Sequence, residues 1–230
     1  MALLQAKNLS WKPADAEEFI WKDVSFELSP GELVVLEGPS GSGKSTLLKA
    51  IVGLIEVSSG KRLWRGDKIT ADNIRRFRNE VVYVHQTPVA IAPRIADNLS
   101  FPREIAAEFV DGAQPMSEDE QERMLERLQL GALDRSRRFD ELSVGERQRV
   151  AFVRCITVRP QVLLLDEPTA SLDPDSAHSV EKCVLDYLDA SSDRAAIWIS
   201  HSKEQRERLG GRLLDLTRWN PGPSAGEYRP

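Results

Sequence analysis

Four short apolar runs punctuate the chain: Leu33 to Leu36, Val81 to Val84, Val162 to Leu165 and Ile197 to Ile199. Aliphatic runs of this length, followed by polar residues, predict strands buried on both faces. Each leads into groups suited to phosphate, metal or water: Gly38 to Thr46, Gln86, Asp166 with Glu167, and His201. Such a pattern predicts parallel strands whose carboxyl ends converge on one ligand.

Before Gly38 the positions Leu3, Leu4, Val24, Phe26 and Leu28 alternate or cluster, and Ser29-Pro30-Gly31 reads as a turn. This predicts a small antiparallel layer leading into a central strand. A helix follows over Thr46 to Val52. From Pro88 to Pro160 the periodicity becomes helical, with Ser117-x-x-Glu120 as a capping box ahead of Met124, Leu125 and Leu128. That stretch, residues 88–160, is expected to be a helical subdomain inserted in the core. The strand at Val162, a helix over Ser176 to Leu188 and the strand at Ile197 then restore α/β alternation. The expected architecture is one α/β domain over residues 1–219, with a mainly parallel sheet, an N-terminal antiparallel β layer and the inserted helices. Residues 220–230, rich in Pro and Gly, are expected to be a loose tail.

Composition narrows the class. A chain of 230 residues buries an ample core, and its formal charge of -5 argues against a broad basic surface for nucleic acid. No apolar run approaches the roughly 20 residues needed to span a bilayer, and Met1 to Ser10 lacks a signal-peptide pattern, so a cytoplasmic protein is expected. Cys155 and Cys183 fall in apolar helical patterns with no Cys-x-x-Cys and no neighbouring His. They are expected to be buried reduced thiols, not a disulfide or zinc site.

The segment Gly38-Pro39-Ser40-Gly41-Ser42-Gly43-Lys44-Ser45-Thr46 matches the phosphate-loop pattern and stands between a strand and a helix, as that motif requires. Glycines let backbone N–H groups turn onto phosphates, the helix N-terminus adds positive potential, Lys44 reaches the β and γ oxygens, and Ser45 offers a hydroxyl to Mg²⁺. Asp166 and Glu167 emerge at a strand end. Asp166 fits the acid that holds Mg²⁺ through water, and Glu167 fits a general base for the attacking water. Together these residues predict a P-loop NTPase core with ATP and Mg²⁺ as its ligands. Ser143-x-x-Glu146 is a second capping box, and with Gly145 it offers another helix N-terminus to an anionic γ-phosphate.

Leu142-Ser143-Val144-Gly145-Glu146-Arg147-Gln148 resembles the signature motif of ATP-binding-cassette (ABC) ATPases, and the likeness spans nearly the whole chain. The resemblance implies that Gln86 senses Mg²⁺ and a transmembrane subunit, and that His201 contacts the γ-phosphate. It places Asp173, in Ser171-Leu172-Asp173, at a dimer interface beside nucleotide. Trp11 resembles the aromatic that stacks on adenine, with Trp21 and Phe19 as competitors. Val144 and Glu146 depart from the usual Gly and Gln of the motif, and Val144 puts full-strength hydrolysis in question.

The resemblance further implies a head-to-tail homodimer, or a pair with a similar chain. Ser143, Gly145 and Glu146 of one copy would complete the ATP site of the other. It also implies a separate membrane permease, docked near Gln86 and the stretch after Pro88, with this chain peripheral on the cytoplasmic face of a bacterial inner membrane. Gln86-Thr87-Pro88, Asp97-Asn98-Leu99 and Phe101-Pro102 look most similar to bacterial iron-export ATPases; phosphate, amino-acid or lipid-linked transport stays open. Two rival classes remain, a small-molecule P-loop kinase and a soluble ABC ATPase acting on nucleic acid or ribosomes.

Overall fold

A computed structural model describes residues 1–110 and 112–220. The tail expected over 220–230 lies, apart from Asn220, outside the described residues. The chain runs β1 (Leu4–Trp11), β2 (Trp21–Leu28), β3 (Leu33–Glu37), α1 (Lys44–Ile51), β4 (Ser59–Trp64), β5 (Asp67–Lys68), α2 (Ile74–Glu80) and β6 (Val81–Val84). It continues with α3 (Ile95–Phe109), α4 (Glu118–Arg127), α5 (Val144–Ile156), β7 (Val162–Asp166), α6 (Pro174–Asp189), β8 (Ala195–Ile199), α7 (Lys203–Leu209) and β9 (Arg212–Asp215).

Two sheets form. The first is antiparallel, in the order β2-β1-β4-β5, and the second is parallel, in the order β6-β7-β8-β3-β9. The four apolar runs of the sequence are β3, β6, β7 and β8, so the α/β class and the parallel sheet are as expected. The sequence reading missed β4 and β5, which complete the antiparallel layer, and β9, which extends the parallel sheet beyond β3. The helix placed at Thr46 begins two residues earlier, at Lys44, because Gly43 (φ 87°) turns the backbone directly into the first helical residue.

The parallel strands other than β9 bury both faces, and their alternation divides the core in two. Val34, Leu36, Val81, Tyr83, Val162, Leu164, Ala195 and Ile197 pack toward α1 and the antiparallel layer. Val35, Val84, Leu163, Leu165, Ala196 and Trp198 pack toward the helices that follow β6 and β7. Most of these side chains are fully buried, each contributing roughly 1.5–3 kcal/mol of transfer free energy when it is the size of Val or Leu. A strand covered on both faces leaves only its ends open, which is why chemistry gathers at the carboxyl edge.

Caps fix the helices around this sheet. Ser117 and Glu120 close a reciprocal capping box on α4, and Ser143 and Glu146 do the same on α5. Pro174 occupies the first turn of α6 behind the capping residue Asp173, a position where its missing N–H costs nothing. Cys155 and Cys183 are both free; Cys183 is buried, whereas Cys155 is only half-buried, against the expectation of two buried thiols.

Candidate active site

The loop between β3 and α1 is shaped by contact with the antiparallel layer. A Cβ on Gly43 would lie 2.7 Å from Ile20 Cγ2 and 2.8 Å from Trp21 Cδ1, so no side chain fits there. Trp21 is fully buried and forms the floor beneath the loop. Because Gly43 offers no capping side chain, the first N–H groups of α1 face the loop interior uncapped, the arrangement that takes an anion. Lys44 Nζ donates to the carbonyls of Gly38 (2.8 Å) and Pro39 (3.0 Å), folding back over the loop. Burial pulls the Lys44 ammonium below its ordinary value, against the opposing pull of Glu167 and Asp166. Ser42 Oγ is buried without a partner, an orphan that a phosphate oxygen would satisfy.

Four strand ends meet on two adjacent carboxylates. Ser45 Oγ donates to Asp166 Oδ1 at 2.8 Å, and Tyr83 Oη donates to Asp166 Oδ2 at 2.5 Å. Burial and the Asp166 bond push the Tyr83 phenol upward and keep it protonated. Glu167 holds a left-handed backbone (φ 48°), uncommon for a side-chain-bearing residue and shared in this chain by Asn8, Asp23, Arg65, Gln129 and Arg159. Its carbonyl accepts from Gln148 Nε2 (3.2 Å), its Oε2 from Gln86 Nε2 (3.1 Å), and its Oε1 lies 2.7 Å from His201 Nε2. His201 sits two residues past the end of β8, and α7 beyond it is anchored by Gln205. That side chain donates to Thr169 Oγ1 (2.8 Å) and Glu181 Oε1 (2.7 Å).

The donor set here is oxygen-rich: Ser45 Oγ meets an Asp166 carboxylate oxygen, and Gln86, whose amide also carries an oxygen, bonds the adjacent Glu167. Among the described residues no group of three or more His, Cys, Asp or Glu could hold a metal. A partial shell of hard oxygens suits Mg²⁺, which retains water and takes substrate phosphates as its other ligands.

The second set of expected residues stands at the starts of α5 and α6. Ser143 Oγ accepts from Glu146 N (3.2 Å) and Glu146 Oε2 from Ser143 N (2.8 Å), so the start of α5 is closed by its own residues. The Ser143 hydrogen bonds hold the Glu146 carboxyl below its ordinary value. Val144 is 48% exposed. A Cβ on Gly145 would sit 3.2 Å from Leu172 Cδ2, so this glycine permits close packing of α5 on its own Ser171–Asp173 turn. Asp173 caps α6 by accepting from Ser176 N at 2.9 Å. Trp11, at the end of β1, is half-buried with its ring 6.2 Å from that of Trp21. With Trp21 in the core, Trp11 is the one of the two with a free face.

Lys44, Ser45, Gln86, Asp166, Glu167 and His201 therefore share one cluster, whereas Ser143, Gly145, Glu146 and Asp173 form another. The sequence reading passed over Tyr83 and gave no role to Asn98. A Tyr within the strand Val81–Val84 was the available signal for the first. Asn98 is fully buried; it accepts from Ile91 N (3.0 Å) and Arg154 Nη1 (3.0 Å) and donates to Ala92 O (2.6 Å), fixing the segment that follows Gln86.

The family model described as ABC transporter matches residues 21–170. The probable iron export ATP-binding protein FetA of Escherichia coli (strain K12) is 35% identical over 203 residues, covering 88% of this chain and 86% of that protein. The lipoprotein-releasing system ATP-binding protein LolD of Idiomarina loihiensis is 36% identical over 216 residues, covering 90% and 92%. A solved structure of an ATP binding subunit of an ABC transporter superposes with a TM-score of 0.76 at 27% identity, over 90% of this chain and 82% of that one.

Proposed function

The chain belongs to the ABC transporter family as an ATPase, the ATP-binding subunit of a transporter, and from this premise we propose how its residues divide the work. The loop from Gly38 to Thr46, with Pro39, Ser40, Gly41 and Ser42 shaping it, binds the triphosphate through backbone N–H groups and the start of α1. Lys44 leaves its loop carbonyls for the β and γ oxygens, and Trp11 stacks on adenine. Ser45, Gln86 and Asp166 hold Mg²⁺. The ion supplies charge neutralisation for the phosphoryl oxygens. Glu167 takes the proton of the attacking water, and His201 and Gln86 hold both its oxygens in the orientation that task requires.

The observation that carries this reading is the convergence on Glu167: His201 at 2.7 Å and Gln86 at 3.1 Å, from two different strand ends, on a backbone held at φ 48°. Replacing Glu167 with Gln keeps the shape and removes the base. Nucleotide binding with phosphate release lost is the expected result; undiminished release would sink the assignment.

Ser143, Gly145 and Glu146 meet the γ-phosphate bound by a second copy, and Asp173 lies at that interface, giving a head-to-tail homodimer with two shared sites. What supports this reading is membership of the ABC transporter family together with a capped helix start, Ser143 and Glu146, that makes no hydrogen bond to residues 38–46 among the described residues.

Among the described residues no helix is long and apolar enough to cross a membrane. By likeness to ATP-binding subunits of transporters, the output of this chain passes to a separate permease, with the chain on the cytoplasmic face. A groove of about 520 Å³, lined by Val82, Ile91, Phe101, Ile105, Arg154 and Val158 among others, is the surface for it. Ile91, Phe101 and Ile105 are exposed there. Recovery of no multi-spanning protein in a pull-down from solubilised membranes would remove this part of the reading. Iron export is the cargo favoured by the likeness to FetA, although LolD is equally similar. Normal iron content and normal peroxide tolerance in cells lacking the protein would exclude that cargo.

A further inference from the structure

Asp166 is 2% exposed, and both of its oxygens are bonded, Oδ1 to Ser45 and Oδ2 to Tyr83. Ser45 approaches from the first turn of α1 and Tyr83 from the neighbouring strand β6. Strands β6 and β7 pair in parallel with Tyr83 opposite Leu164, so Tyr83 projects on the same face as Leu164 and as Asp166 two residues further on. The phenol spans that two-residue offset, which a shorter side chain would not. The Tyr83 ring also meets His85 edge-on, with centroids 4.4 Å apart, immediately before Gln86. One side chain thus links the strand that carries Gln86 to the carboxylate at the end of β7.

We infer that Tyr83 is a positioning residue for the metal site: its hydroxyl fixes the Asp166 carboxylate so that Oδ1 is presented toward Ser45 and the Mg²⁺ position. The inference rests on the reading of Asp166 as the metal-side acid. A carboxylate pinned at one oxygen has one orientation for the other, and partners that orient ligands in this way change metal affinity without touching the ion. A buried tyrosine that merely found an acceptor for its hydroxyl would affect folding stability instead.

Tyr83→Phe keeps the ring and removes the hydroxyl, and Asp166→Asn serves as the reference. ATP affinity of the full chain is measured with Mg²⁺ and with EDTA, and the ratio of the two isolates the contribution of the metal. The expected result for Tyr83→Phe is a ratio reduced about 10-fold, the lower end of effects on such partners, with EDTA affinity unchanged. Thermal midpoints taken alongside verify that both variants fold. If Asp166→Asn lowers the ratio and Tyr83→Phe does not, the inference about Tyr83 is overturned. Equal loss in Mg²⁺ and in EDTA for Tyr83→Phe also overturns it, since the role is then structural. A ratio unchanged in Asp166→Asn would instead overturn the reading of Asp166 on which the inference depends.

Discussion

Two helices carry the residues proposed to meet the triphosphate, and they begin in opposite ways. At α1 the residue ahead of the helix is Gly43, which has no side chain to cap it, and Trp21 beneath it excludes any replacement. At α5 the residue ahead is Ser143, and Ser143 and Glu146 satisfy one another across a complete capping box. The first N-terminus keeps its donors free for a ligand, and the second gives two of its own, Ser143 N and Glu146 N, to a capping box. A single chain thus contains one uncapped helix start, the open one, and one capped helix start, the closed one. The closed one also carries a carboxylate, Glu146, where a γ-phosphate would arrive, and a half-exposed Val144 beside it. The difference fits the proposal that α1 binds the triphosphate and that α5 acts after binding.

The largest effect separates binding from chemistry at the open site. Glu167→Gln should lower phosphate release by about 10²- to 10⁴-fold while leaving ATP affinity in place, checked by phosphate release and equilibrium binding. Next, Lys44→Ala removes a charge-assisted bond worth about 1.5–3 kcal/mol, so ATP should bind the single chain roughly 10- to 100-fold more weakly. Ser143→Ala should leave that affinity untouched. It removes a helix cap worth about 1 kcal/mol, read as a thermal midpoint lower by roughly 2–4 °C. Equal weakening of ATP binding by Lys44→Ala and Ser143→Ala in the single chain would erase the contrast between the two helices.

The smallest effect has the opposite sign. Glu146→Gln removes a negative charge from the γ-phosphate position and should tighten ATP-driven self-association by a few-fold, read as a dimer dissociation constant. Its stability cost has a defined pH window. The Glu146 carboxyl is held below its ordinary value of 4.5 by Ser143, so its contribution is fully present above that value and fades as pH falls through the lowered one. The wild-type advantage in thermal midpoint over Glu146→Gln should therefore be present at neutral pH, begin to decline below pH 4.5 and vanish once pH is below the lowered value.

What the sequence made legible follows from the same physics. Strands buried on both faces must be apolar throughout, so β3, β6, β7 and β8 were readable, and the residues just past their carboxyl ends named most of the open site. The strand β9 was not, because Arg212–Asp215 holds only two apolar residues and Leu213 is 53% exposed. The strand β4 reads as Ser-Gly-Lys-Arg-Leu-Trp and is held by pairing with β1, a partner distant in sequence. The roles of Tyr83 and Asn98 escaped for a related reason: they depend on strand register and on side-chain hydrogen bonds between elements, which no local pattern encodes. The capping boxes at Ser117 and Ser143 were legible because both partners lie within one helical turn.

The central claim is that the open site of one chain is completed by the closed helix start of another. Light scattering on Glu167→Gln, with and without Mg²⁺ and ATP, tests it most directly, because that variant holds ATP without consuming it. The account predicts a monomer that becomes a dimer only when both Mg²⁺ and ATP are present. Tight ATP binding by a chain that remains monomeric would contradict it and point to an enzyme whose site is complete within one copy.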